Sequence, residues 1–262
     1  MTASLILRAD EGAVAVLVLN DPAKLNALST PMLHALAAEF ETLAADPAVR
    51  VVVIRALVKA FCAGHDLKEI QAARQSPDAG AAAFDILFAL CSRVMQQIAA
   101  LPKPVIAEVQ GIATAAGCQL AASCDMVVAS DHARFGVNGV NIGLFCSTPI
   151  VALSRKIPQS AAFELAATGE FLSAARAQSL GLANRVTSVE DLSAQTMALA
   201  QTLAQKLPAA LRIGKAAFAA QTGLPLDQAY AAAGSAMVDN LLNTQTSEGI
   251  SAFLEKRPPT WA

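Results

Sequence analysis

Two runs of small residues hold the groups best placed to do chemistry: VKAFCAGHDL (58–67) and QGIATAAGCQL (110–120). Each follows a β-rich run and leads into a helical pattern. A helix start offers unpaired backbone N–H groups and the positive end of its dipole. Two such starts facing one point can bind an oxyanion, and small residues let a ligand approach the backbone. The same pattern also serves tight packing of helix on strand, and spacing alone leaves both readings open. His65 adds a protonatable imidazole. Gln119 can hold a water by donating and accepting hydrogen bonds, but it cannot take up and return a proton as a carboxylate can.

Other chemistries find little support. The five cysteines, Cys62, Cys91, Cys118, Cys124 and Cys146, are irregularly spaced and form no C-x-x-C pair. They read as free thiols in a reducing compartment, so a cytoplasmic location is expected. His34, His65 and His132 complete no zinc pattern, and no metal is expected. The phosphate-loop, dinucleotide, serine-hydrolase and zinc-protease signatures are all missing.

The elements that must position these groups follow an α/β order. Of the 262 residues, 55% are hydrophobic and 15% charged, which favours a large buried core or extensive subunit contacts. Net charge is -2 without a Lys or Arg run, so neither nucleic acid nor a membrane surface is an expected partner. A ligand with a few phosphates needs only two or three local cations. No apolar run approaches the ~20 residues of a membrane span, and MTASLILRADEG lacks the basic start of a signal peptide.

Strands are expected at 13–20, 49–56, 103–111 and 125–130, with helices at 29–46, about 81–100 and within 111–125. Thr30 is expected to cap the first helix, with Pro31 at its first position. The polar stretch 71–80 reads as a mobile loop. After about residue 188 the pattern turns helical, with starts marked by Ser188, Pro208, Pro225 and Ser247.

FCAGHDL, KPVIAEVQGIATAAGCQLAASCDMVVAS (103–130), ARFGVNGVNIGL (133–144) and AATGEFLSAARAQSLGLANRVTS (166–188) together resemble the crotonase, or enoyl-CoA hydratase/isomerase, superfamily over essentially the whole chain. The resemblance implies an α/β spiral of ββα units over 1–195 and a C-terminal helical region, 196–262, that forms trimers, often paired into hexamers. It implies an acyl-CoA thioester ligand and no cofactor beyond the coenzyme A that the substrate carries. The family's two oxyanion-binding N–H groups map onto His65 and Ala116. Its two hydratase glutamates map onto Gln119 and Gly139, so weak or absent hydration is expected.

By the same resemblance, Lys24, Ala63, Asp66 and Leu67 are expected to contact coenzyme A, with Phe253 and Lys256 reaching its ADP end. Asn141 and Cys146, with Ser147 and Thr148, are expected at the acyl pocket. GHD also occurs in the family's methylmalonyl-CoA decarboxylases, so His65 holding a substrate carboxylate is one alternative. A catalytically silent acyl-CoA-binding scaffold is another.

Overall fold

The computed structural model describes residues 4–261. The runs VAVLVL and VVVI are apolar at every position because both of their faces are covered. Val14, Val16, Val51, Val53, Ile106 and Val128 pack in one cluster with Leu192, Met197 and Ala200. Their alternate neighbours Ala15, Leu17, Val52, Ile54, Ala107 and Ala129 belong to the main core. The two-residue period of a strand thus survives inside a continuous apolar run, as a sheet buried on both sides requires.

The strands are β1 (Ile6–Glu11), β2 (Val14–Leu19), β3 (Val51–Ala56), β4 (Ala60–Cys62), β5 (Val105–Val109), β6 (Ile112–Thr114), β7 (Met126–Ser130), β8 (Arg134–Gly136), β9 (Phe171–Ser173) and β10 (Arg185–Thr187). The helices are α1 (Thr30–Ala45), α2 (Leu67–Ala73), α3 (Ala81–Ala100), α4 (Ala116–Ser123), α5 (Ser147–Leu153), α6 (Gln159–Thr168), α7 (Ala174–Leu180), α8 (Leu192–Ala204), α9 (Pro208–Gln221), α10 (Leu226–Leu241) and α11 (Thr244–Leu254).

A large sheet runs β1-β2-β3-β5-β7-β10, and a small one runs β4-β6-β8-β9. β1–β2 and β8–β9 are antiparallel; the other pairs are parallel. Each of β3, β5 and β7 sends the chain into the small sheet at β4, β6 and β8, and helical segments follow. This is the expected spiral of ββα units. Its small-sheet strands are only three residues long, too short for a periodic sequence signal.

Several local expectations are corrected. Ser29, not Thr30, caps α1: its hydroxyl accepts the Met32 N–H at 3.4 Å. Thr30 is freed to donate to Glu69. α11 is capped by Asn243, which accepts the Gln245 N–H at 3.0 Å, so the helix starts before Ser247. Of the stretch 71–80, residues 71–73 end α2 and the remainder is a bonded turn. Ser76 Oγ donates to Asp78 at 2.6 Å and accepts the Gly80 N–H at 3.0 Å, and Asp78 accepts the Ala82 N–H at 3.0 Å.

By length and composition α3 is able to cross a membrane, which the sequence reading did not anticipate. It instead lays Leu87, Leu90, Cys91, Val94, Met95 and Ile98 into the core. α8 spans residue 195 and covers the far face of the large sheet. Lys215 fastens α9 to the spiral, donating to Asp125 at 2.7 Å and to the Ile98 and Lys103 carbonyls at 2.9 and 3.0 Å.

Candidate active site

The small residues after β4 and β6 are required by how closely the two turns meet. A Cβ on Gly117 would lie 2.2 Å from the Cys62 carbonyl oxygen, so α4 can press onto β4 only with glycine there. Gly64 has φ +89°, and a Cβ on it would lie 2.9 Å from the Ala115 Cβ. Ala115 itself has φ 49° and ψ -122°, a conformation that L residues rarely adopt. Its N–H bonds the Gly136 carbonyl at 2.9 Å, while the Gly64 carbonyl accepts the Leu28 N–H at 2.7 Å. The two turns are therefore pinned on opposite sides and meet in between.

Where they meet, a cavity of about 500 Å³ opens. His65 and Ala116 both line it, and among the described residues neither backbone N–H has a hydrogen-bond partner. Ala116 is the first residue of α4, which has no side-chain cap. Such unpaired donors beside a cavity suit an anionic oxygen.

The walls are mostly apolar: Leu67, Ile70, Phe88, Ile142, Leu144 and Phe145. Asn141, Cys146, Ser147 and Thr148 line the cavity as expected, and Ala63 reaches it too. Sequence reasoning missed Thr114 and Asn138, which also line it and bond each other, Thr114 Oγ1 donating to Asn138 Oδ1 at 2.6 Å. Both sit within the quoted motifs, but no spacing rule joins residues 24 apart. No Asp, Glu, Lys or Arg is among the described residues that line the cavity.

His65 is held from two sides. Its Nδ1 lies 3.0 Å from the Leu28 carbonyl, and its ring meets the Phe88 ring edge-on at 5.5 Å. Burial pushes its pKa below the usual 6.5, with smaller opposing effects from the Leu28 carbonyl and Glu69. The imidazole is therefore neutral at pH 7. Burial pushes the Cys146 thiol up, so it stays protonated and is a poor nucleophile.

The two positions expected to have lost glutamates differ. Gln119 lies in α4, one turn past Ala116; it is buried, and its Oε1 has no partner. It is not among the residues lining the cavity. Gly139 lines the cavity, but a Cβ there would meet the Leu144 carbonyl oxygen at 2.3 Å and Cys146 Sγ at 2.8 Å. The position has no room for a side chain.

The expected coenzyme A contacts are only partly assembled. Ala63 and Leu67 line the cavity, whereas Lys24 and Asp66 pair with each other at 2.8 Å outside it. Asp66 caps α2, accepting from the N–H of Lys68 and Glu69 at 2.9 and 3.3 Å. Phe253, on α11, and Lys256, just past its end, are exposed and do not reach the cavity.

Residues 9–262 match the family described as enoyl-CoA hydratase/isomerase. The chain belongs to the enoyl-CoA hydratase/isomerase family. Among its relatives, enoyl-CoA hydratase domain-containing protein 3, mitochondrial, from Danio rerio is 43% identical over 264 residues, covering 100% of this chain and 89% of that protein. A crystal structure of an enoyl-CoA hydratase from Mycobacterium smegmatis superposes with a TM-score of 0.94 at 51% identity, covering 99% of both chains. That of human enoyl-CoA hydratase domain-containing protein 3 gives a TM-score of 0.93 at 41% identity, covering 98% of this chain and 100% of that one. Within the enoyl-CoA hydratase/isomerase family, the chain thus resembles the domain-containing protein 3 branch. The Danio rerio relative is named as mitochondrial, which overturns the cytoplasmic expectation. Members of the family bind acyl-CoA thioesters and usually form trimers. Among the described residues no His, Cys, Asp and Glu cluster could hold a metal.

Proposed function

We propose that this protein binds an acyl-CoA thioester with its carbonyl oxygen on the His65 and Ala116 N–H groups and stabilises the enolate form of the acyl group. The observation that carries the reading is the pair of unpartnered amides lining one cavity. A thioester carbonyl gathers negative charge as the enolate forms, and a positioned donor pair stabilises that charge more than the ground state.

The acyl group lies against Phe88, Ile142, Leu144 and Phe145, beside Asn138, Asn141 and Cys146. The pantetheine arm leaves past Ala63 and Leu67 toward Lys24, which keeps half of its side chain exposed while pairing with Asp66. Phe253 and Lys256 reach the ADP end in an assembled oligomer. The helical region 196–262 joins the 1–195 core to neighbouring copies in a trimer or a hexamer. Its exposed Phe218, Tyr230, Met237, Leu241, Leu242 and Phe253 support that role.

Classical hydration is weak or absent in this reading. Gln119 supplies an amide where a carboxylate is needed, and Gly139 has no space for one. The decarboxylase alternative would rest on His65 alone for the carboxylate, since no Lys or Arg is among the described residues lining the cavity.

The test is a panel of enoyl-, dienoyl- and methylmalonyl-CoA thioesters, followed by calorimetry for binding and mass spectrometry for products. Enoyl- and dienoyl-CoA are expected to bind, methylmalonyl-CoA to keep its carboxyl group, and Gly139→Glu to gain no hydration. Absence of binding at millimolar thioester sinks the reading. Binding with every thioester unchanged, and with no deuterium entering the acyl group in D₂O, assigns the protein to the silent scaffold.

A further inference from the structure

The cavity wall carries two carboxamides that the oxyanion amides do not account for. Asn138 and Asn141 both line it, and both belong to one short 3₁₀ turn, Asn138–Ile142. Side chains three residues apart on such a turn eclipse one another, so the two amides stand on one face, about 6 Å apart along its axis. Each is oriented from outside the pair. Thr114 Oγ1 donates to Asn138 Oδ1 at 2.6 Å, which occupies the acceptor end and leaves the Nδ2 hydrogens free. Asn138 is half-buried, yet its Nδ2 is accessible and has no partner among the described residues. Asn141 is held the other way round. Its Nδ2 donates to the Gly169 carbonyl at 3.3 Å, and a carbonyl only accepts, so Oδ1 is the end left free. Gly169, at φ +68°, makes room for this amide: a Cβ there would lie 2.7 Å from Asn141 Oδ1. One face of the turn thus offers a donor and an acceptor side by side.

We infer that Asn138, positioned by Thr114, and Asn141, positioned by Gly169, select an acyl-CoA whose acyl chain carries a hydroxyl group. The inference rests on the acyl-CoA reading above and adds the substrate class. A hydroxyl is the small group that meets both amides at once, accepting from Asn138 Nδ2 and donating to Asn141 Oδ1. Two hydrogen bonds of about 3 Å meeting at one oxygen span the separation of the pair. A plain hydrocarbon chain satisfies neither amide and displaces the water that otherwise does. A charged substituent finds no counter-ion, since no Asp, Glu, Lys or Arg is among the described residues lining the cavity. The apolar wall at Phe88, Leu144 and Phe145 takes the rest of the chain. Asn138 and Asn141 are specificity residues in this assignment, and Thr114 is a positioning residue.

The experiment measures by calorimetry the affinity of the full chain for butyryl-CoA, 3-hydroxybutyryl-CoA and 4-hydroxybutyryl-CoA. At least one hydroxylated thioester is expected to bind about tenfold more tightly than butyryl-CoA. Asn138→Leu and Asn141→Leu keep the side-chain shape without the amide, and each should bring that ratio close to one. Thr114→Val should lower the ratio by releasing the Asn138 amide, whereas Thr114→Ser keeps the hydroxyl and should keep the ratio. Equal binding of the three thioesters by the wild type overturns the inference and leaves the acyl-CoA reading intact. So does a ratio that survives both leucine variants while all three affinities fall together, because that is the mark of a structural role alone. Absence of binding by all three thioesters overturns both readings. The wild-type ratio needs no variant, and Thr114→Val tests the assignment where a leucine variant fails to fold.

Discussion

The turn after β4 and the turn after β6 do the same geometric job with different means. The first uses glycine for its left-handed residue, Gly64 at φ +89°, and closes its helix start with Asp66 and, behind it, Lys24. The second uses an alanine, Ala115 at φ 49°, and leaves α4 uncapped. One turn is relaxed and finished; the other is strained and open. The contrast is between a capped helix start at α2 and a start without a side-chain cap at α4.

The largest test removes the contact on which both turns depend. Gly117→Ala puts a methyl group 2.2 Å from the Cys62 carbonyl. It is expected to cost about 3 kcal/mol or prevent folding, measured as the shift in a urea midpoint. A variant of wild-type stability means that α4 does not need its close seat on β4.

Ala115→Gly probes the strain directly. It should stabilise the protein by about 1 kcal/mol, because glycine accepts this conformation without a Cβ penalty. Loss of thermal stability removes strain as the difference between the turns.

An effect of similar size and opposite sign concerns the closed turn. Asp66→Ala deletes the α2 cap and is expected to cost about 1 kcal/mol. The hydrogen bond from Lys24 is the main reason that the Asp66 carboxyl titrates below its usual 3.8, with the Lys68 and Glu69 amides helping. A folded pKa below the unfolded one gives stabilisation that is complete above about 3.8 and is lost as pH falls through the folded value. Wild type and variant should therefore converge in acid and separate near neutrality. A gap independent of pH shows that the carboxylate charge adds nothing to the cap.

Long, strongly patterned segments were legible in the sequence. The strands around VAVLVL and VVVI, the helix at 81–100 and the starts at Pro208 and Pro225 lie where apolar runs and caps place them. The cap assigned to Thr30 fell one residue late, because a serine immediately before it makes the same bond. The strands of the small sheet carry too few residues to show a period.

By itself the sequence determined the alternation of strands and helices, the small residues at two turns, and the identities His65, Ala116, Gln119 and Gly139. These are properties of neighbours along the chain. Only the tertiary structure decided which of them share a cavity. It drew in Phe88, Thr114 and Asn138, left Gln119 off the wall, paired Lys24 with Asp66, and closed the space at Gly139 with the Leu144 carbonyl. The lowered His65 pKa was decided there too, since burial lowers it while a carbonyl 37 residues away in the chain opposes the shift. Packing brings distant groups within a few ångströms, and both desolvation and hydrogen bonding act only at that range.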